Sequence, residues 1–184
     1  TDFNGSTGTD QIIIAVTDSI DLSVSANPNP ICRNETVLLQ ATATGGSNPY
    51  SYSWNNGLGT GALQTDQPLT NTQYTVTVTD INGCQEIDSI TVAVYDLPSV
   101  VANASPNPIC EDEVSILSAT GSDGQAPYSF NWSNGLGMGA FQSVSPSSSE
   151  TYTVTITDNN GCTATDDILL QVWPKPTVNT SATP

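Results

Sequence analysis

The four cysteines are the residues of this 184-residue chain with the most specific chemistry. They stand at Cys32, Cys84, Cys110 and Cys162. Zinc sites place cysteines in Cys-x-x-Cys pairs or combine them with histidine, and this sequence has neither arrangement. In an oxidising compartment, four cysteines instead predict two disulfide bonds, for which three connectivities are possible.

Catalytic constellations are missing from the sequence. Without histidine, no Ser-His-Asp or Cys-His arrangement can form. The neighbouring carboxylates Asp166 and Asp167 would point to opposite faces of a strand, so they cannot face each other for acid–base work. We therefore expect no enzymatic activity.

The charge of the chain excludes several classes of partner. It carries 18 acidic and two basic side chains, for a net charge of −16. Nucleic acids and anionic membrane surfaces both require a basic face, which cannot form here. The longest aliphatic run, residues 12–16, is far shorter than the roughly 20 residues of a membrane span, so no membrane insertion is expected.

The sequence repeats itself at a constant interval. Cys110 follows Cys32 by 78 residues, and Cys162 follows Cys84 by the same 78. The interval predicts two complete domains, at 18–96 and 97–174. By the same alignment, residues 1–17 are expected to be a hairpin fragment of a preceding repeat, and 175–184 the first strand of a following one.

Alternating apolar and polar residues predict that each repeat is an all-β sandwich. In the first repeat we expect strands A at 22–27, B at 36–43, C at 50–54, a short C′ or D segment near 62–65, F at 73–79 and G at 86–95. Six or seven strands in fewer than 80 residues fit one Ig-like Greek-key sandwich per repeat, with the domains arranged end to end.

Four aromatic residues are expected in the cores of these sandwiches. Trp54 and Trp132 fall on strand C, where Ig-like domains bury a tryptophan. Tyr74 and Tyr152 begin strand F, the position of a tyrosine corner. Their alternation with serine and threonine argues against an exposed, sugar-stacking role.

Two cysteine pairings remain open. Spacing favours one bridge per domain, Cys32–Cys84 and Cys110–Cys162. However, Cys32 precedes strand B whereas Cys84 follows the F–G turn at the opposite end, and an eight-residue strand spans roughly 26 Å. Bridged Cα atoms lie within about 7 Å. In an end-to-end array Cys32 would meet Cys162, an inter-domain bridge. Cys84 and Cys110 would then pair with neighbouring repeats.

The same domain junction gathers carboxylates. Glu35, Asp96 and Asp158 would approach one another there, and oxygen-rich junctions can bind calcium and stiffen an array. A solvated acidic surface is the alternative. No other cofactor is expected.

The repeat resembles the PKD-like and Ig-like repeats of giant surface adhesins of Bacteroidota, including gliding-motility adhesin repeats of the SprB type. The resemblance is carried by Pro-Ile-Cys at 30–32, Tyr-Ser-Tyr-Ser-Trp at 50–54 and the run Tyr-Thr-Val-Thr-Val-Thr-Asp at 74–80 with Asn-Gly-Cys at 82–84, and by their second copies. It implies a secreted cell-surface protein exported by the type IX system. One departure is Ser6, which stands where the repeat has cysteine.

These observations predict a structural role, as the shaft of a long secreted adhesin or filament whose partners are neighbouring repeats of the same protein. A second hypothesis is a module that binds surface glycans or proteins. A third is a subunit that polymerises by strand donation, through residues 1–16 and 177–184.

Overall fold

The computed structural model describes residues 4, 10–11 and 18–178. Within this part of the chain every regular element is a β-strand. No helix of the described residues is long and apolar enough to cross a membrane. The hairpin expected at 1–17 and most of the strand expected at 175–184 lie outside the described residues.

The two repeats contain nine strands each, in the same order. In the first repeat they are β1 (Ile20–Asn27), β2 (Ile31–Cys32), β3 (Val37–Gly45), β4 (Ser51–Trp54), β5 (Gly59–Thr60), β6 (Leu63–Asp66), β7 (Thr72–Thr79), β8 (Gln85–Val92) and β9 (Val94–Tyr95). In the second they are β10 (Pro98–Ser105), β11 (Ile109–Cys110), β12 (Ser115–Asp123), β13 (Ser129–Trp132), β14 (Gly137–Met138), β15 (Phe141–Val144), β16 (Glu150–Thr157), β17 (Thr163–Leu170) and β18 (Val172–Trp173).

The chain divides into two compact units. The first comprises Thr1–Asn29, Thr36–Asp66 and Thr72–Val92, and the second comprises Pro30–Glu35, Gln67–Asn71 and Ala93–Pro184. The short strands β2 and β9 therefore belong to the second unit. The repeat boundaries at 18–96 and 97–174 stay a prediction from the 78-residue interval.

The first unit is a sandwich of two antiparallel sheets, ordered β1-β3-β6 and β5-β4-β7-β8. Strand β7 shows why these residues form strands. Its Tyr74, Val76 and Val78 are fully buried, while the intervening threonines are partly exposed. β-branched residues with this period of two suit a sheet with one face on the core.

The second unit contains the same sandwich, ordered β10-β12-β15 and β14-β13-β16-β17. It also contains two short parallel pairs, β2 with β9 and β11 with β18. The core of its sandwich is apolar and comprises Val100, Ala102, Ile109, Leu117, Ala119, Trp132, Val144, Tyr152, Val154, Ile156 and Leu170. The sheet orders correspond to strands A, B and E facing C′, C, F and G, which is an Ig-like Greek-key fold.

Candidate functional site around the Cys32–Cys162 disulfide

The Cys32 side of the site is a short turn after β2. Ile31 is buried and anchors β2, whose parallel pairing places Cys32 beside Tyr95. The Glu35 carboxylate accepts a hydrogen bond from the Cys32 N–H at 2.8 Å, and the Glu35 N–H donates to the Cys32 carbonyl at 3.0 Å. The two bonds fix the backbone on both sides of the cysteine.

The Cys162 side is the F–G turn at the end of β16. Asp158 is buried there, and its Oδ1 accepts the N–H groups of Asn160 and Cys162, each at 2.9 Å. Its Oδ2 accepts the N–H of Gln125 in the preceding B–C loop at 2.9 Å. One carboxylate thus ties two loops together and fixes the backbone at Cys162.

Cys32 and Cys162 form a disulfide, with Cα atoms 5.7 Å apart and a sequence separation of 130 residues. Cys84 and Cys110 lie outside this bridge, and both are exposed. The pairing of one bridge per repeat is therefore not formed. The physical reason is strand length: Cys32 pairs with Tyr95 after strand β8, whereas Cys84 precedes β8.

The chain has only two cationic side chains: Arg33 lies in the Cys32 turn, and Lys175 lies beside the equivalent turn at Cys110. Arg33 pairs with Asp96, and Lys175 pairs with Asp112 at 2.7 Å. The hydrogen bond from Lys175 to Asp112 raises the pKa of the lysine. All four side chains are largely solvent-exposed, so each pair contributes little to stability.

The expected calcium ligands are occupied by other partners. Glu35 holds Cys32, Asp96 pairs with Arg33, and Asp158 accepts three backbone N–H groups. Across residues 18–178 no three His, Cys, Asp or Glu side chains gather in a way that could hold a metal ion. The structure thus does not bring these carboxylates together as a calcium site.

An open cleft lies within the second unit next to these turns. Arg33, Tyr95 and Asp96 line one side, and Gln125 and Asn160 line the other. The cleft walls carry the amides of Gln125 and Asn160, the phenol of Tyr95, the carboxylate of Asp123 and the Arg33–Asp96 ion pair. Such a surface is suited to contact between loops.

The four aromatic residues expected in the cores are buried. Each tryptophan also donates its indole N–H to a backbone carbonyl, Trp54 to Gly61 at 2.8 Å and Trp132 to Gly139 at 3.1 Å. These bonds join β4 and β13 to the glycines that directly follow β5 and β14.

The tyrosine corner expected from the sequence is not formed. In such a corner the hydroxyl bonds to the backbone. Here Tyr74 donates to the carboxylate of Asp66 at 2.6 Å, and Tyr152 donates to Glu150 at 2.9 Å. Burial, reinforced by the bond to Glu150, raises the pKa of Tyr152 to about 12. Burial and the bond to Asp66 likewise raise the pKa of Tyr74.

The turn-forming roles of Asp158 and Glu35 were not among the sequence predictions. The sequence does contain a signal for the role of Asp158, because an aspartate two residues before Asn-Gly commonly accepts hydrogen bonds from backbone N–H groups of its own turn. Asp80 plays the same role in the first repeat, accepting from Asn82 and Cys84. Glu35 has no comparably specific signal.

No family model matches the chain, and no curated protein matches it. Several solved tandem-domain structures match at low identity. The eight N-terminal Ig domains of Down Syndrome Cell Adhesion Molecule match with 10% identity and a TM-score of 0.46, over 85% of this chain and 25% of that one. The titin I-band fragment I67-I69 matches with 18% identity and a TM-score of 0.41, over 87% and 67%.

The fibronectin(III)-like modules of Clostridium thermocellum CbhA match with 11% identity and a TM-score of 0.40, over 86% of this chain and all of that one. The present chain therefore spans a quarter of the cell adhesion fragment and two thirds of the titin fragment. Every TM-score quoted is below 0.5, so the fold assignment rests on the strand order and not on these similarities. That order, repeated in both sandwiches, is Ig-like.

Proposed function

We propose that this chain is a structural segment of a long secreted cell-surface adhesin or filament, in which tandem Ig-like domains extend and stiffen the protein. The observation that carries the proposal is the disulfide between Cys32 and Cys162. Cys32 comes from the first copy of the sequence repeat and Cys162 from the second, so the bond fastens Pro30–Glu35 of the first copy within the second compact unit.

The linkers themselves support a stiff array. Pro98 stands two residues after the first repeat, Pro174 is the last residue of the second repeat, and Pro176 follows it. Proline fixes φ near −65° and lowers the flexibility of a connecting segment. A structural disulfide also fits an oxidising, extracellular location.

The resemblance to Bacteroidota surface-adhesin repeats supports a finer proposal. Under it the protein is exported by the type IX system and serves attachment or gliding motility. Its partners are then neighbouring repeats of the same protein and, at the cell exterior, glycans or proteins. The high negative charge supports solubility of such a repetitive surface protein.

Small-angle X-ray scattering tests the stiffening role. The oxidised C84S/C110S chain, which keeps the bridge, should show a narrow range of particle dimensions. The C32S/C162S chain, which also lacks two cysteines but has no bridge, should show a broader range of dimensions. An equally broad range of dimensions in both variants would contradict the proposal.

One observation favours a second candidate, a ligand-binding module. In the second repeat Met138 and Phe141, three residues apart in the sequence, are 67% and 71% exposed, and a contiguous exposed apolar patch is a mark of binding sites. A glycan array probed with the chain and with M138S/F141S tests this reading. Selective binding that the double substitution abolishes would support it, and no binding by the unmodified chain would refute it for glycans.

A further inference from the structure

The sequence offers very few bonds to proteases that cut after arginine or lysine. Such enzymes hold a cationic side chain in a pocket that contains a carboxylate, and only Arg33 and Lys175 can fill it. Lys175 is followed by Pro176, whose ring fixes φ and removes the backbone N–H, so the bond between these two residues is a poor substrate. The bond between Arg33 and Asn34 is therefore the one that this class of protease can readily cut.

The Arg33–Asn34 bond lies at the surface of the Cys32 turn. Residues 33–36 are all exposed, and exposed polar loop tips are where folded proteins are commonly nicked. The ion pair of Arg33 with Asp96 is itself solvent-exposed and holds the side chain only weakly. Neither burial nor the ion pair therefore protects this bond from a protease.

The backbone of the turn, in contrast, has the wrong shape for cleavage. A substrate lies extended in the active site of a protease, whereas Asn34 has a φ of 70°. The Glu35 N–H donates to the Cys32 carbonyl at 3.0 Å, which closes a β-turn around the bond. The Arg33 N–H donates to the Tyr95 carbonyl at 2.9 Å. Cleavage thus requires the turn to open first.

The Cys32–Cys162 disulfide holds this turn in place. Cys32 directly precedes Arg33, and its sulfur is bonded to a residue whose N–H is fixed by the buried Asp158. The disulfide also crosses the cleavage point, because Cys32 lies on the N-terminal side of the Arg33–Asn34 bond and Cys162 on the C-terminal side. A cut made while the disulfide is intact leaves the two pieces joined.

We propose that the Arg33–Asn34 bond is a cleavage site for proteases with trypsin-like specificity and that the Cys32–Cys162 disulfide controls it. While the disulfide is formed, the turn stays closed and the chain stays covalently in one piece. After reduction the turn opens, and cleavage yields residues 1–33 and 34–184 as separate chains. The inference goes beyond the proposed function, because it concerns how the chain can be cut.

Two balanced reactions make up the proposal. A dithiol reductant transfers two electrons to the disulfide, giving the Cys32 and Cys162 thiols, and is itself oxidised to a cyclic disulfide. The protease then adds one water across the peptide bond. The hydroxyl group goes to the carbonyl carbon of Arg33, and the proton goes to the nitrogen of Asn34.

Limited digestion with trypsin tests the proposal. C84S/C110S keeps the bridge and has no other cysteine to exchange with it, whereas C32S/C162S lacks the bridge and carries the same number of substitutions. Cleavage after Arg33 should be at least about tenfold faster in C32S/C162S, because the cutting rate follows the population of the open turn. A dithiol should accelerate cleavage of C84S/C110S in the same way. Arg33→Gln in either background should abolish the cut.

Chymotrypsin distinguishes opening of the turn from unfolding of the whole chain. Tyr74 and Tyr152 are buried in the two cores, so cleavage after them requires a sandwich to unfold. Removing the bridge should raise the rate at these two sites much less than the trypsin rate at Arg33. Equal increases at all three sites would overturn the inference, because global unfolding would then account for the cleavage.

Denaturing gels of trypsin-treated C84S/C110S provide the second readout. Any cut chain should migrate as one species without reductant and as two fragments with it, and its intact mass should exceed that of the uncut chain by one water. Rapid cleavage of the oxidised chain, a rate that the dithiol leaves unchanged, or fragments that separate without reductant would each overturn the inference.

Discussion

Asp80 and Asp158 are the residues on which the two F–G turns depend. Each carboxylate is buried and accepts three backbone N–H groups from two loops. Buried N–H groups that lose their acceptor keep the full cost of their removal from water. The aspartates therefore contribute to stability as well as to cysteine placement.

Replacing Asp158 with alanine should destabilise the second repeat by about 3 kcal/mol, because three N–H groups lose a charged acceptor. Urea unfolding measures the change. Asp167→Ala, at an exposed position on β17, is the matched control and should change stability by less than about 0.5 kcal/mol. Equal effects of the two substitutions would contradict the role of Asp158.

Stability should fall between about pH 10 and pH 12 because Tyr152 is held neutral in the folded protein. Unfolded tyrosine ionises near pH 10, whereas burial and Glu150 raise the folded pKa to about 12. The contribution is therefore complete below pH 10 and is lost as the pH rises through the folded value. Urea unfolding of C84S/C110S at pH 8 and pH 11 measures the loss.

Tyr152→Phe in the same background should reduce the difference between the two pH values, because phenylalanine has no proton to lose. Part of the loss should remain, since Tyr74 also has a raised pKa. An unfolding free energy that is equal at both pH values in the unsubstituted tyrosine background would contradict this account.

Burial of single residues could be predicted from the sequence, but their polar partners could not. The period of two along β7 placed Tyr74 in the core. Its hydroxyl partner, Asp66, lies on β6 in the other sheet of the sandwich, and only tertiary packing brings the two together. The N–H of Gln125, which reaches Asp158 from the B–C loop, is likewise brought there only by tertiary packing, whereas the Asn160 and Cys162 donors are local to the Asp158 turn.

Strand G illustrates the limit of prediction for elements. A single strand was expected at 86–95, and the structure instead contains β8 (Gln85–Val92) and β9 (Val94–Tyr95), separated by Ala93. The chain leaves its antiparallel partner β7 and pairs in parallel with β2. Both segments have the same alternating pattern, so the pattern alone does not reveal the change of partner.

Packing between the two sheets differs between the repeats at one pair of positions. A Cβ atom added to Gly121 would lie 2.5 Å from Cδ1 of Ile156 and 3.0 Å from the ring of Tyr128. The first repeat has Ala43 and Val78 at the positions of Gly121 and Ile156. Valine lacks the δ-methyl group, which leaves room for the alanine.

Gly121→Ala should therefore cost about 1–3 kcal/mol through overpacking. Ile156→Val alone should cost about 0.5–1.5 kcal/mol. Urea unfolding of the double variant G121A/I156V should show a smaller loss than the sum of the single changes, because valine relieves the clash. Additive losses would show that these two side chains do not compete for the same space.

On the scale of the whole molecule, the Cys32–Cys162 bond closes a loop whose ends are 130 residues apart. Closing so long a loop lowers the entropy of the unfolded chain, and a stabilisation of about 2–5 kcal/mol is expected. Thermal unfolding of C32S/C162S should show this loss. C84S/C110S removes the same number of cysteines and should unfold like the unmodified chain, and equal losses in both variants would contradict the assignment.

The presence of two sandwiches with the same strand order could be inferred from the sequence because the 78-residue interval repeats the strand motifs and both kinds of cysteine turn. The choice between cysteine pairings could not be made from spacing, since both pairings use the same residues. The pairing depends on which strand ends lie close together. Because β2 pairs with β9, which follows β8, Cys32 lies about the length of β8 away from Cys84 at the start of that strand.

Peptide mapping of the oxidised chain without reductant tests the central claim most directly. Because the chain has only two Lys and Arg residues, a protease that cleaves after acidic or aromatic residues is needed. A peptide containing Cys32 joined to one containing Cys162 is the predicted result. A Cys32–Cys84 peptide, with Cys110 joined to Cys162, would show that each repeat closes its own bridge and would contradict the account.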